Sequence, residues 1–248
     1  MLVDITKDNF REIVRQFITD NDKVRSATVW MLDDLSPILT LLRGSKIERI
    51  LDIGCGFGGL SAVIAKLLGA GEIHGVDIDE NVFNEARAKG VICHLVDANS
   101  LLPFQDNYFD LITSFGVLEH LTFFDTIIQE SHRVLRSAGY LLISVPNLAS
   151  WVNRIYLLLG KQLRDVEVSK KIFTGGGSFY STYPLGHIHT VTVKSLIELL
   201  QYYGFQIKAI RGGRPYSHRM GLIMRTVDNI LSRRPSFARR FFLLAEKV

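Results

Sequence analysis

Residues 47–69 read IERILDIGCGFGGLSAVIAKLLG, and the order of residue types in this stretch decides the fold. The first seven residues, with Ile50, Leu51 and Ile53, read as a buried strand. Gly54, Gly56, Gly58 and Gly59 then turn the chain. Small and aliphatic residues at helical spacing follow. Strand, glycine turn and helix open a βαβ unit. The same alternation continues downstream. EIHGVDI at 72–78 reads as a strand, ENVFNEARAKG at 80–90 as a helix, and VICHLVDA at 91–98 as a third strand. YFDLITSF at 108–115 is a fourth strand, FFDTIIQESHRVLR at 123–136 a helix, and YLLISVPN at 140–147 a fifth strand. Alternation of this kind predicts a parallel sheet with helices on both faces, joined by right-handed crossovers.

Outward from this core the pattern changes. Residues 7–19 place Phe10, Ile13, Val14, Phe17 and Ile18 on one helical face, and a second helical stretch with Pro37 runs to about Leu42. Residues 1–45 are expected to form an N-terminal helical cap on a main domain spanning 46–248. After Asn147 the alternation stops. Residues 148–189 read as an insertion with an apolar helix near 149–160, and TGGGSFYSTYPLG at 174–186 has the glycines of a mobile lid. VKSLIELLQYYG, FQIKAI, an amphipathic helix carrying Met220, Ile223, Met224, Val227, Ile230 and Leu231, and a last strand in FFLLAEKV complete the chain.

Composition narrows the class. The chain has 248 residues, 47% of them hydrophobic and 22% charged, which excludes disordered and fibrous proteins. Two cysteines cannot form a disulfide scaffold and favour a reducing, cytoplasmic setting. The N-terminus shows no secretory signal pattern, and no apolar run reaches the ~18 residues of a spanning helix. Residues 205–248 hold 10 Lys and Arg against 2 acids, a net of +8, whereas the rest of the chain is net −4. A basic surface of this kind suits an acidic or membrane-associated partner, or simply a solvated face.

Gly54, Gly56 and Gly59 fit G-x-G-x-x-G, and Asp77 closes the second strand where a carboxylate can bind ribose hydroxyls. That much suits a nicotinamide dinucleotide and an S-adenosyl ligand equally. Asp52 separates them. A carboxylate two residues before the first glycine repels a pyrophosphate at the helix N-terminus but attracts the ammonium of a methionine moiety. Asp97 and Ala98 end the third strand, where an acid and the next N–H can meet adenine.

These residues, with VDID at 76–79, VDAN at 96–99, FDLITSFGVLEHL at 109–121 and RVLRSAGYLLISVPN at 133–147, resemble the class I S-adenosylmethionine-dependent methyltransferases of the small-molecule branch called type 11. The resemblance covers residues 47–147 and extends to GHIHTVTVKSLIELLQYYGF at 186–205. It implies a doubly wound, Rossmann-like α/β fold with a seven-stranded sheet in the order 3-2-1-4-5-7-6, the last strand antiparallel. It also implies S-adenosylmethionine held by Asp52, Gly54, Cys55, Gly56, Asp77, Ile78, Asp97, Ala98 and Ser114.

For catalysis, His120 is a candidate general base, since imidazole takes a proton near neutral pH. His187 and His189, at alternate positions of an extended segment, can face one cleft. No Cys, His or acid stands near that pair in sequence, so no metal site is expected. The fourth strand is not followed by Asn/Asp-Pro-Pro-Tyr/Phe and no Pro-Cys pair exists, which disfavours methylation of nucleic-acid bases. The expected activity is methyl transfer to a small or lipid-like acceptor, acidic or membrane-associated. The alternatives are a non-catalytic S-adenosyl-ligand-binding protein and a nucleic-acid enzyme using the basic C-terminal region.

Overall fold

A computed structural model describes residues 7–25, 32–163, 166–172, 174, 186–213 and 222–248. Its centre is a seven-stranded sheet in the order β3-β2-β1-β4-β5-β7-β6. The strands are β1 (Arg49–Ile53), β2 (Glu72–Asp77), β3 (Ile92–Leu95), β4 (Phe109–Phe115), β5 (Leu135–Pro146), β6 (Phe205–Gly213) and β7 (Arg240–Lys247). The first five pair in parallel, and β7 runs antiparallel to both β5 and β6. The order and the antiparallel strand agree with the expectation from sequence.

Strand alternation divides the core into two layers. On one face Ile50, Leu111, Leu142, Phe242 and Leu244 meet α1 (Lys7–Phe17), α3 (Leu32–Leu41) and α4 (Gly59–Leu68). On the other face Leu51, Ile53, Ile112, Leu141, Ile143 and Leu243 meet α6 (Asp125–Val134) and α8 (Val193–Tyr202). Leu35, Ile38 and Leu39 of α3 are fully buried, each side chain contributing about 1.5–3 kcal/mol of apolar burial. The N-terminal helices thus share one hydrophobic cluster with α4 and the sheet. Between α1 and α3 lies α2 (Asp20–Arg25).

Several boundaries differ from the sequence reading. The helix expected over 123–136 stops at Val134, and β5 begins at once with Leu135. Arg136 is drawn into the sheet edge by an ion pair with Asp110, whose other oxygen accepts the Glu48 and Arg49 N–H groups. The third strand ends at Leu95 rather than Ala98, leaving Asp97 in the turn beyond it. The insertion contains α7 (Trp151–Leu158). Most of the glycine-rich stretch 174–186, read from sequence as a lid, lies outside the described residues, as does Met220. α5 (Phe83–Ala88) and α9 (Leu222–Leu231) are the remaining α-helices among the described residues. Among the described residues, no helix is long and apolar enough to cross a membrane.

Candidate active site

The ends of β1, β2 and β4, with the turns after β3 and β4, enclose a cavity of about 350 Å³. This is the carboxyl edge of a doubly wound sheet, where such folds bind ligands. The β1–α4 turn forms one wall. Gly54 and Cys55 donate their N–H groups to the Val76 carbonyl at 2.8 and 3.1 Å. Gly54 has φ +75°, and a Cβ there would stand 2.3 Å from Val117 Cγ2, so only glycine fits. The Gly56 N–H donates to Asp77 Oδ2 at 2.8 Å, while Asp77 Oδ1 accepts from the Asp79 N–H at 3.0 Å. The Asp77 carboxylate is therefore fixed in direction before any ligand arrives.

Asp52 lies deeper, 3% exposed. Its two oxygens accept from Ser61 Oγ at 2.5 Å and Thr113 Oγ1 at 2.7 Å. Burial pushes its carboxyl up to about 6, and the two hydroxyls only partly oppose this. A carboxylate held at such cost beside a cavity can receive a cationic group. Asp97 closes an Asx turn, with Oδ1 accepting from the Asn99 N–H and Nδ2 at 2.8 and 2.9 Å. Ile78, 70% exposed, offers an apolar surface on the cavity rim.

Of the residues singled out from sequence, Asp52, Gly54, Cys55, Gly56, Asp77, Ile78, Asp97, Ala98 and His120 line the cavity. Ser114 does not. It is 1% exposed on the α6/α8 side of β4, because the pleat gives the opposite side to Phe115, which lines the cavity, and to Thr113, which bonds Asp52. Cys55 is a packing residue, its thiol driven far up by burial. His187 and His189 do not line the cavity either. His187 is buried against His120, with ring centroids 5.0 Å apart, and His189 stacks on Phe123. Both meet the segment after β4, where the Glu119 carbonyl accepts the N–H groups of Ile188 and His189.

Three contributors were missed from sequence. Asp22, on α2, lines the cavity and accepts the Gly59 N–H at the start of α4 at 3.0 Å. Lys89 clamps it, reaching Asp22 Oδ2 at 2.7 Å, Glu85 Oε1 at 2.9 Å and the Phe57 carbonyl at 2.9 Å. No local motif links residue 22 to residue 59. Glu119, 2% exposed, forms an ion pair with Arg240 at 2.7 Å. Its acidic partner-seeking role was hidden because Arg240 lies on the far strand β7. Nor did the sequence show an acid beside His187; the fold brings Glu119 and His120 to it.

The comparisons with known proteins fit this geometry. Residues 51–143 match the family described as a methyltransferase domain. A ubiquinone/menaquinone biosynthesis C-methyltransferase UbiE of Vibrio cholerae is 39% identical over 104 residues, covering 39% of this chain and 40% of that protein. The enzyme of the same description from Paraburkholderia phymatum is 41% identical over 102 residues, covering 38% and 42%. The alignment thus spans about two fifths of the length of these curated relatives. Among solved structures, a SAM-dependent methyltransferase from Methanosarcina mazei superposes with a TM-score of 0.63 at 22% identity, over 87% of this chain and 99% of that one. One from Mesorhizobium loti gives 0.58 at 19%, over 90% and 99%. These two share the fold.

Proposed function

We propose that this chain, which carries a methyltransferase domain at residues 51–143, transfers the methyl group of S-adenosylmethionine to a small, lipid-like acceptor. The observation that carries the reading is the convergence of Asp52, Asp77 and Asp97 on one cavity, each acid at or just beyond the end of a different strand.

The residues present fit that cofactor. Asp52, buried and raised toward neutrality, suits the ammonium of its methionine end. Asp77, fixed by two backbone N–H groups, retains acceptor capacity for a pair of ribose hydroxyls. Ile78 and Ala98 offer apolar contact for a purine, and Asp97 an acceptor for its amino group. When bound, S-adenosylmethionine supplies a methyl group already activated on a sulfonium. The chain's own work is positioning and exclusion of water. Phe115, Gly116, Val117 and Leu121 wall the cavity near His120, which marks the acceptor's end. Holding two reactants in line can supply about 7–11 kcal/mol of the barrier.

A lipid-like acceptor is supported by the relatives' description and by exposed apolar surface. Leu158 on α7 is 86% exposed, and Leu222 and Ile223 on α9 are 78% and 80% exposed. The two helices are tied together, because Trp151 Nε1 donates to Asp228 Oδ1 at 2.5 Å and Arg239 pairs with the same carboxylate. α9 does not simply cover the sheet; within it only Asp228 is buried. With Arg225, Arg233 and Arg234 alongside, this face suits peripheral contact with an anionic membrane from a cytoplasmic enzyme. A nucleic-acid acceptor is disfavoured.

Calorimetry with S-adenosylhomocysteine and with a nicotinamide dinucleotide tests the cofactor. Methyl-labelled S-adenosylmethionine incubated with fractionated lipid and aqueous extracts tests the transfer. Binding of the dinucleotide alone would sink the reading. Binding of S-adenosylhomocysteine with no labelled product in any fraction would leave a non-catalytic binding protein.

A further inference from the structure

Glu119, His120 and His187 bring one carboxylate oxygen and two imidazole nitrogens within 4.8 Å of one another. Glu119 and His187 are buried, while His120 is exposed and lines the cavity. From this cluster we infer a site for a divalent transition cation at the acceptor end of the cavity. The inference rests on the methyltransferase reading and adds to it the class of acceptor, a molecule with an ionisable hydroxyl.

Three observations carry it. Arg240 occupies Glu119 Oε1, but Glu119 Oε2 is buried with no hydrogen-bond partner among the described residues. A buried carboxylate oxygen without a donor calls for an ion or a water. Second, His120 Nδ1 lies 3.1 Å from the Gly186 carbonyl. That contact requires Nδ1 to donate, which leaves Nε2 with a bare lone pair. Fixing one imidazole nitrogen to a carbonyl is how metal-ligating histidines are oriented. Third, the loop carrying His187 is pinned in place. Glu167 Oε2 accepts the Gly186 and His187 N–H groups at 2.6 and 3.1 Å, and Ile188 and His189 bind the Glu119 carbonyl.

The distances are workable. A triangle with 4.8 Å edges has its centre about 2.8 Å from each corner, against bonds of about 2.0–2.2 Å for zinc with nitrogen and oxygen. Inward movement of about 0.7 Å per ligand closes the site. Two imidazoles and one carboxylate suit zinc or manganese better than magnesium or calcium. Among the described residues, the charged groups beside the cluster are Glu119, which pairs with Arg240, and Glu167, which holds the Gly186–His187 backbone. Three protein ligands leave positions open toward the cavity, as in catalytic metal sites. An acceptor hydroxyl bound there loses its proton to solvent as the oxygen–metal bond forms, because coordination lowers hydroxyl pKa values by several units. The cation, rather than His120 as a base, then generates the nucleophile's charge.

The test uses the full chain freed of metal by chelation. Titration with Zn2+ or Mn2+ is followed by calorimetry, and Co2+ is added as a spectroscopic probe. One equivalent is expected to bind saturably, with a Co2+ absorption band of mixed nitrogen and oxygen ligation. His187→Ala and His120→Ala should each weaken Zn2+ binding at least about tenfold. S-adenosylhomocysteine affinity is measured on the same samples. If the apo chain binds S-adenosylhomocysteine but takes up no cation at one equivalent, the cation site is refuted and the cofactor reading stands. The Co2+ spectrum of the unmutated protein decides the matter if either variant fails to fold. Labelled transfer undiminished by chelation, with a pH limb abolished in His120→Ala, would return His120 to the role of base and overturn the proposal.

Discussion

Replacing Asp52 by Asn separates what this residue does for the fold from what it does for the cofactor. In the folded chain the Asp52 carboxyl rises from 3.8 to about 6. That change corresponds to about 3 kcal/mol of penalty at neutral pH, at about 1.4 kcal/mol per pKa unit. The sign follows from linkage. A carboxyl whose folded pKa is raised stabilises the fold most below its unfolded pKa, and that contribution is lost as pH rises through the folded value. Asn has the same shape and no charge, so Asp52→Asn should be more stable than the parent by about 1–3 kcal/mol at pH 8, after allowing for rotated Ser61 and Thr113 hydroxyls. The advantage should open between about pH 4 and 7 and vanish below pH 4. Binding should move the other way. S-adenosylhomocysteine carries the ammonium that Asp52 is proposed to receive, and its affinity should fall about ten- to a hundredfold. 5′-Methylthioadenosine lacks that group and should lose about threefold or less. Urea denaturation at pH 4, 6 and 8 and calorimetry with both ligands supply the readings. A variant less stable at pH 8, or equal losses for both ligands, would show that Asp52 serves only to join β1 to α4.

Asp77→Ala should lower S-adenosylmethionine affinity by about ten- to a hundredfold by calorimetry while the far-ultraviolet dichroism stays unchanged, since the loss is of charge-assisted bonds worth about 1.5–3 kcal/mol. Gly54→Ala should cost about 1–3 kcal/mol in urea denaturation, because it adds a Cβ at positive φ against Val117; a stable, fully binding variant would contradict the turn's geometry. The chain should sediment with anionic but not neutral vesicles at low salt, and Arg233→Glu with Arg234→Glu should abolish this, each basic residue contributing about 1 kcal/mol. Absence of vesicle binding at low salt would leave the exposed faces of α7 and α9 to a soluble acceptor or partner.

Much of the architecture was legible because it rests on local pattern. The strand, glycine turn and helix of residues 47–69 fixed the first βα unit, and acids at the ends of β1 and β2 and in the turn after β3 marked the carboxyl edge as the ligand side. Ser114 was misjudged for a reason that position alone cannot reveal. Its distance along β4 is right, but the pleat gives the cavity wall to Phe115. Asp22, Lys89 and Arg240 were invisible because each acts across dozens of residues, and nothing in a one-dimensional spacing links Asp22 to Gly59 or Arg240 to Glu119. The pairing of His187 with His120 had the same cause. A separate cap over 1–45 and a lid over 148–189 are ideas drawn from where the alternation starts and stops. In the cap's range, Leu35, Ile38 and Leu39 are fully buried in the same cluster as α4.

The docking of Asp22 onto Gly59 and Lys89 carries a consequence for how the protein is made. α1 to α3 are synthesised before the elements they pack against, and until those follow, their apolar side is uncovered. Their partners are α4, Lys89 and the sheet, whose share of the cluster includes Phe242 and Leu244 of β7, so the contacts close only once that last strand has been made. Until then the early helices are a natural client for a chaperone at the exit tunnel. The glycine turn cannot settle alone either, since the first N–H of α4 finds its acceptor in a residue synthesised long before it. The pocket and α1–α3 therefore mature together in the nascent chain.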